Sequence, residues 1–134
     1  MLTIKLPSGR TMCYPRARIG TEHGDGKRGD HDIIEYEGVN QTTRKWEAIR
    51  TYGGKLTENI TQATARDLLA EAMRRMELAG FGIVGHVHDE VILEVPKGQY
   101  TVDDVCNIMN RNPAWADGLP LASAGYCGSY YFKD

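Results

Sequence analysis

Seven apolar residues in the middle of this chain, Ala65, Leu68, Leu69, Ala72, Met73, Met76 and Ala79, recur at helical spacing. They form a stripe along an amphipathic helix of about six turns counted from Asn59. Asn59 with Gln62 three residues later is a capping-box pattern, and Gly80 lies where a left-handed stop is expected. Beyond that glycine come two short apolar runs, Phe81 to Val87 and Val91 to Val95, on either side of His88-Asp89-Glu90. Gly80 in front and Pro96-Lys97-Gly98 behind mark them as two strands of a hairpin. A long helix is thus tied through one residue to a hairpin with two acids at its tip.

The remaining pattern fits around that unit. Leu2 to Leu6 and Thr11 to Tyr14, separated by Pro7-Ser8-Gly9-Arg10, read as an N-terminal hairpin. Ile19 to Asp32, with four closely spaced glycines, is expected to be a mobile loop. Ile33 to Tyr36 and Val39 suggest another strand; Gln41 to Tyr52 is open between strand and irregular chain. Thr101-x-x-Asp104 opens a second helix over about 102–109, ended by Asn110-Arg111-Asn112-Pro113. Leu119 to Phe132 reads as one or two strands. At 134 residues the chain is long enough for one domain with its own core. The expected class is α+β, an antiparallel sheet packed on one face by helices.

Composition excludes more than it assigns. No apolar run approaches the ~18 residues of a membrane span. The start, Met1-Leu2-Thr3-Ile4-Lys5, lacks the basic segment and apolar core of a secretory leader. Both point to a cytoplasmic protein with no membrane partner. Cys13, Cys106 and Cys127 are odd in number and far apart, which suggests buried apolar residues and not a disulfide framework. The net charge of -2 gives no argument for nucleic acid. Basic residues do gather in the first 55 positions (Arg10, Arg16, Arg18, Lys27, Arg28, Arg44, Lys45, Arg50, Lys55), either as a basic face or as a solvated surface interspersed with acids.

The tip residues carry the chemistry. Adjacent carboxylates on a rigid hairpin are costly without a cation, and a divalent metal is the usual one. His86 and His88, two apart, have a spacing used in zinc sites, but no third His or Cys lies near them in sequence. Gly53-Gly54-Lys55 is too short for a phosphate-binding loop and reads as a turn before the helix. Gln62 and Arg66, one turn apart, lie at the edge of the apolar stripe, where side chains can look sideways into a cleft. Tyr126, Tyr130 and Tyr131 read as core or strand residues.

The segment Thr51-Tyr52-Gly53-Gly54-Lys55-Leu56-Thr57-Glu58-Asn59-Ile60-Thr61-Gln62-Ala63-Thr64-Ala65-Arg66-Asp67, followed by Val87-His88-Asp89-Glu90-Val91 and Glu94-Val95-Pro96, resembles family A DNA polymerases, the DNA polymerase I group, in their bacteriophage branch. Asn112-Pro113-Ala114-Trp115-Ala116-Asp117-Gly118-Leu119-Pro120-Leu121 resembles the C-terminal end of such phage enzymes. The resemblance implies a palm-like fold, with 1–56 joining fingers to palm and 57–134 forming palm. It implies templated nucleotidyl transfer with two Mg²⁺ ions (or Mn²⁺), and primer-template DNA, a deoxynucleoside triphosphate and the remaining polymerase subdomains as partners.

By the same resemblance Asp89 is the catalytic carboxylate that binds the metals and Glu90 a secondary acid near the primer terminus. His88 would contact the primer strand, and Gln62 the minor groove of the duplex, with Arg66 and Asn59 as further DNA contacts. Where many relatives carry Asn four residues before the Gln, this chain has Glu58, and the Asn is Asn59; Ala63 stands in place of a Gly. The family's upstream Asp-x-Ser-x-x-Glu motif and its Lys- and Tyr-bearing fingers helix do not occur in these 134 residues. Asp89 and Glu90 therefore supply half a metal site, and the isolated chain is expected not to extend primers. Two other readings are a non-catalytic remnant that binds primer-template DNA and a small metal-dependent hydrolase using His86, His88, Asp89 and Glu90.

Overall fold

The computed structural model describes residues 1–23 and 29–132. It is α+β, as expected, with the strands divided among three small antiparallel sheets. The chain forms two compact units, Met1–Gln62 and Ala63–Asp134. Among the described residues, no helix is long and apolar enough to cross a membrane.

In the first unit, β1 (Leu2–Lys5) and β2 (Thr11–Tyr14) form the expected N-terminal hairpin. Its turn is closed by Leu6 N–H donating to the Arg10 carbonyl at 2.8 Å, with Gly9 at φ +91°. The second sheet runs β3 (Arg18–Glu22), β4 (His31–Val39) and β5 (Trp46–Thr51). Tyr14 meets Tyr36 edge to face at 4.9 Å, and Leu6, Tyr14, Ile33 and Thr51 are buried.

That sheet corrects the expected loop over 19–32. The strands extend into it from both sides and stay paired out to Glu22 opposite His31. Alternation of β-branched Ile19 and Thr21 supports β3, and His31 Nε2 lies 3.3 Å from the Glu22 carboxylate. The rest of that expectation, residues 24–28, falls outside the described residues. The undecided 41–52 segment resolves into a turn and β5. Asn40 Oδ1 accepts the Thr42 and Thr43 amides at 2.8 and 3.2 Å, an Asx turn that brings the chain back.

Helix α1 spans Gly53–Leu78, six residues earlier than the apolar stripe suggests. Its first turns carry no apolar period because Thr57, Glu58 and Thr61 are polar. They are helical because Leu56 N–H reaches the Tyr52 carbonyl, Lys55 pairs with Glu58 at 2.8 Å, and the Thr57 and Thr61 hydroxyls bond back to carbonyls four residues earlier. Asn59 is therefore a half-buried helix residue and not a cap; its amide donates to Tyr14 Oη at 3.2 Å.

The other end of α1 closes as the sequence predicts. Phe81 N–H donates to the Met76 carbonyl and Gly80 N–H to that of Glu77, each at 3.0 Å, with Gly80 at φ +86°. This is a Schellman stop, and its apolar partners Met76 and Phe81 are both buried. Met76, 0 % exposed, forms the centre of the second unit with Leu69 and Ala72. Ala65 and Ala79, at the ends of the stripe, are exposed. Strands β6 (Gly82–Val87) and β7 (Glu90–Glu94) follow.

Helix α2 (Val102–Met109) has the capping box read from Thr101 and Asp104. Thr101 N–H donates to Asp104 Oδ2 at 2.8 Å, and Asp104 N–H to Thr101 Oγ1 at 3.2 Å. Tyr100, just before it, packs on Phe81 with ring centroids 4.3 Å apart. The strands expected over Leu119 to Phe132 do not form. Pro120, Gly125 and Gly128 interrupt any ladder. Side-chain bonds hold that segment instead: Asn112 donates to the Ala116 and Leu119 carbonyls at 2.7 Å each, and Ser123 to Cys106 at 3.5 Å.

Candidate functional site

The expected hairpin is present, and its register decides what each side chain faces. Val87 pairs with Glu90, His86 with Val91, Gly85 with Ile92 and Ile83 with Leu93. Val84 is an extra residue, a bulge in β6. Because Leu93 and Ile92 are neighbours on opposite faces, Ile83 and Gly85 also take opposite faces despite being two apart. The bulge therefore puts Ile83 and His86 on one face, and Gly85, Val87 and Glu90 on the other. At the base, Gly82 lies so close to β7 that a β-carbon there would stand 2.8 Å from the Glu94 carbonyl oxygen.

His88 turns the corner at φ +52°, a left-handed conformation that is costly for any residue with a β-carbon. It is exposed and lies in the turn between the strands, off the strand that carries His86. Asp89 is exposed beside it. Glu90, the first residue of β7, is half-buried.

Glu90 has a partner that sequence reasoning missed. Tyr131 Oη donates to Glu90 Oε2 at 3.0 Å. That bond, helped by burial and by the Glu90 charge, holds the Tyr131 phenol above the usual tyrosine range. The two residues are 41 apart, and nothing in the tail's pattern distinguishes Tyr131 from Tyr126 or Tyr130. The tail's fold does distinguish them. The Tyr126 hydroxyl donates to the Phe132 carbonyl and accepts the Phe132 N–H at 3.1 Å. The rings of Tyr126 and Phe132 lie 4.5 Å apart, and Tyr130 sits 5.9 Å from Phe132.

On the opposite face, Arg66 Nη2 lies 3.5 Å from His86 Nε2. A guanidinium only donates, so His86 Nε2 is the accepting side of this contact. Arg66 also borders a shallow groove of about 430 Å³ whose walls include Met73, Arg74, Phe81 and Ile83. Gln62 is exposed one helical turn before Arg66. Asp89, Glu90, His88, His86 and Arg66 belong to the second unit; Gln62 and Asn59 belong to the first.

Asp89 and Glu90 offer the hard oxygen donors that Mg²⁺ or Mn²⁺ requires, on a rigid support. Among the described residues no three His, Cys, Asp or Glu side chains gather to hold a metal ion. The donor chemistry fits a divalent cation, and the number of donors fits half of a site.

Several basic residues of the first unit are answered by acids. Arg16 pairs with Glu37 at 3.2 Å, Arg18 with Glu35 at 3.0 Å, and Arg50 with both Glu22 and Glu35 at 3.4 and 3.5 Å. Glu37 also accepts the Trp46 indole N–H, and that bond, then Arg16, holds its carboxyl below the usual range. These exposed pairs match the solvated surface reading for those three arginines. Lys27 and Arg28 lie outside the described residues.

No family model matches the chain, and no solved structure matches it. A curated relative does: a DNA polymerase of Bacillus phage SP02 is 44% identical over 134 residues, which is 100% of this chain and 20% of that protein. From end to end, the chain is similar to one fifth of a phage DNA polymerase.

Proposed function

We propose that this chain is the C-terminal palm part of a bacteriophage DNA polymerase of family A, acting in DNA replication inside the host cytoplasm. The observation that carries the reading is the 44% identity along the whole chain to a phage DNA polymerase. The hairpin geometry supports it, because two carboxylates stand at the end of a rigid support with the outer one, Asp89, exposed.

In this reading Asp89 and Glu90 hold divalent metal jointly with an acid from another part of the polymerase. When bound, two Mg²⁺ ions stabilise the attacking and leaving oxygens of nucleotidyl transfer. The chain's own residues hold and orient the substrates. His88, fixed in the turn, meets the primer strand. Gln62 reaches the minor groove, where every base pair offers an acceptor, so one amide tests pair geometry without reading sequence. Arg66 and Asn59 lie on the same helix; Arg66 steadies the hairpin through His86 and contributes charge toward DNA. Asn59 is held by Tyr14, so its contact with DNA requires that bond to open.

The test is to translate the coding DNA upstream of Met1 in frame, and to assay primer extension by the full encoded protein. An upstream Asp-x-Ser-x-x-Glu strand and a Lys- and Tyr-bearing fingers helix are expected, with extension falling to background on Asp89→Asn. An encoded protein without those motifs, or one that extends primers at the parental rate with Asp89→Asn, refutes the reading and leaves DNA binding without catalysis as the next to test.

A further inference from the structure

We propose that Tyr131 is a positioning residue for Glu90, presented to it by an aromatic clasp in the C-terminal tail; the inference rests on the reading of the hairpin tip as a metal-holding site. Residues 126–132 have no ladder to hold them, yet they close on themselves. The Tyr126 hydroxyl grips Phe132 at both its carbonyl and its amide, and the two rings pack at 4.5 Å. Tyr131 is the neighbour of the gripped residue, so its backbone is fixed by bonds that do not involve its own side chain. Its hydroxyl is then set 3.0 Å from Glu90 Oε2.

A carboxylate that ligates a metal must present a chosen oxygen, and a hydrogen bond to its other oxygen fixes which one. The phenol does this for Glu90. Asp89, exposed in the turn, has no hydrogen bond or ion pair among the described residues. The two acids are therefore unequal: one is oriented before a cation arrives and the other is free to follow it. Tyr131 acts through Glu90 and touches no reacting group.

The experiment is a Mn²⁺ titration of the ¹⁵N-labelled 134-residue chain, read as paramagnetic broadening of the amides at 88–91. In the parent chain the broadening centres on the tip and is lost with Asp89→Asn. Tyr131→Phe keeps the ring and removes the hydroxyl. It should need about tenfold more Mn²⁺ for the same broadening, the scale of losing a bond behind a metal ligand. Its Mn²⁺-free amide positions over Gly82–Glu94 should stay in place. Tyr126→Phe, which opens the clasp and keeps the Tyr131 hydroxyl, should move the titration the same way by less, and Tyr52→Phe should not move it.

A Tyr131→Phe chain that titrates like the parent overturns the inference and leaves the tip as a metal site. So does one whose hairpin amides have already shifted without Mn²⁺, which would make the tyrosine a structural support. A parent chain with no broadening at the tip overturns the inference for this chain, while the metal reading, which calls on an acid from elsewhere in the polymerase, stands or falls separately on Asp89→Asn in the primer-extension assay.

Discussion

Gly82 and Gly85 lie three residues apart in β6, and the structure gives alanine opposite outcomes at the two. A β-carbon at Gly82 would stand 2.8 Å from the Glu94 carbonyl oxygen, about 0.6 Å inside ordinary van der Waals contact. The obstacle is backbone and cannot rotate aside, so β6 and β7 must part at the Gly82–Glu94 pair. At Gly85 the nearest atom is the Ile92 Cδ1 methyl at 4.0 Å, an ordinary contact with a flexible side chain. Both variants share the gain of roughly 0.4–1 kcal/mol from restricting the unfolded chain. Only Gly82→Ala meets the overpacking cost of about 1–3 kcal/mol.

Gly85→Ala should therefore match or exceed the parent's stability, with Gly82→Ala about 1–3 kcal/mol below it. In urea, at a slope of roughly 1–3 kcal/mol per molar, the two midpoints should separate by about 1 M. A Trp46→Phe background leaves Trp115 as the single tryptophan, so its fluorescence reports the second unit. Coincident midpoints would show that the base of the hairpin is looser than its geometry requires.

Met76→Ala removes the one large side chain that is wholly buried among the described residues, at 0 % exposure, and should cost about 2–5 kcal/mol in the same urea titration. A loss below about 1 kcal/mol would mean that the site collapses around the gap. The α2 cap should fail in acid. The Thr101 amide, then its hydroxyl, holds the Asp104 carboxyl below its ordinary value of 3.8. A carboxyl depressed on folding stabilises the fold above that unfolded value and loses its contribution as pH falls through the lower, folded one. Amide exchange at Thr101 and Asp104 should accordingly accelerate as pH drops below about 3.8 beyond the intrinsic change, and Asp104→Asn, which has no carboxyl to protonate, should abolish the acid step; an unchanged profile in that variant would rule out the cap as its source.

What the sequence made legible was local. Gly80, Thr101 with Asp104, and the paired runs around His88-Asp89-Glu90 each mark an element through a turn or cap whose chemistry lies within a few residues, and each folds as read. The start of α1 was misplaced because its first turns are helical through hydroxyl and ion-pair bonds that leave no apolar period. The strands that extend into 19–32 were hidden by its glycines, one of which, Gly20, is itself in β3 opposite Ile33. Around the candidate site, the tip acids were visible as residues and their difference was not, since the bond from Tyr131 to Glu90 spans 41 positions. Arg66 was singled out from its place on the helix edge, but its partner His86 depended on a bulge that alternation cannot reveal.

Val84 has a consequence for how this hairpin can vary. With an odd residue in one strand, each side of the ribbon serves a different neighbour, α1 through His86 and the tail through Glu90. Exchanging one side chain for another alters a single contact. Losing or gaining one residue between Ile83 and Val87 would turn the outer part of β6 over, sending His86 away from Arg66 while Ile83 kept its place. Sequence drift can thus rewrite the identities along this strand far more freely than it can change their number, and length becomes the property that ties the acidic tip to the helix beneath it.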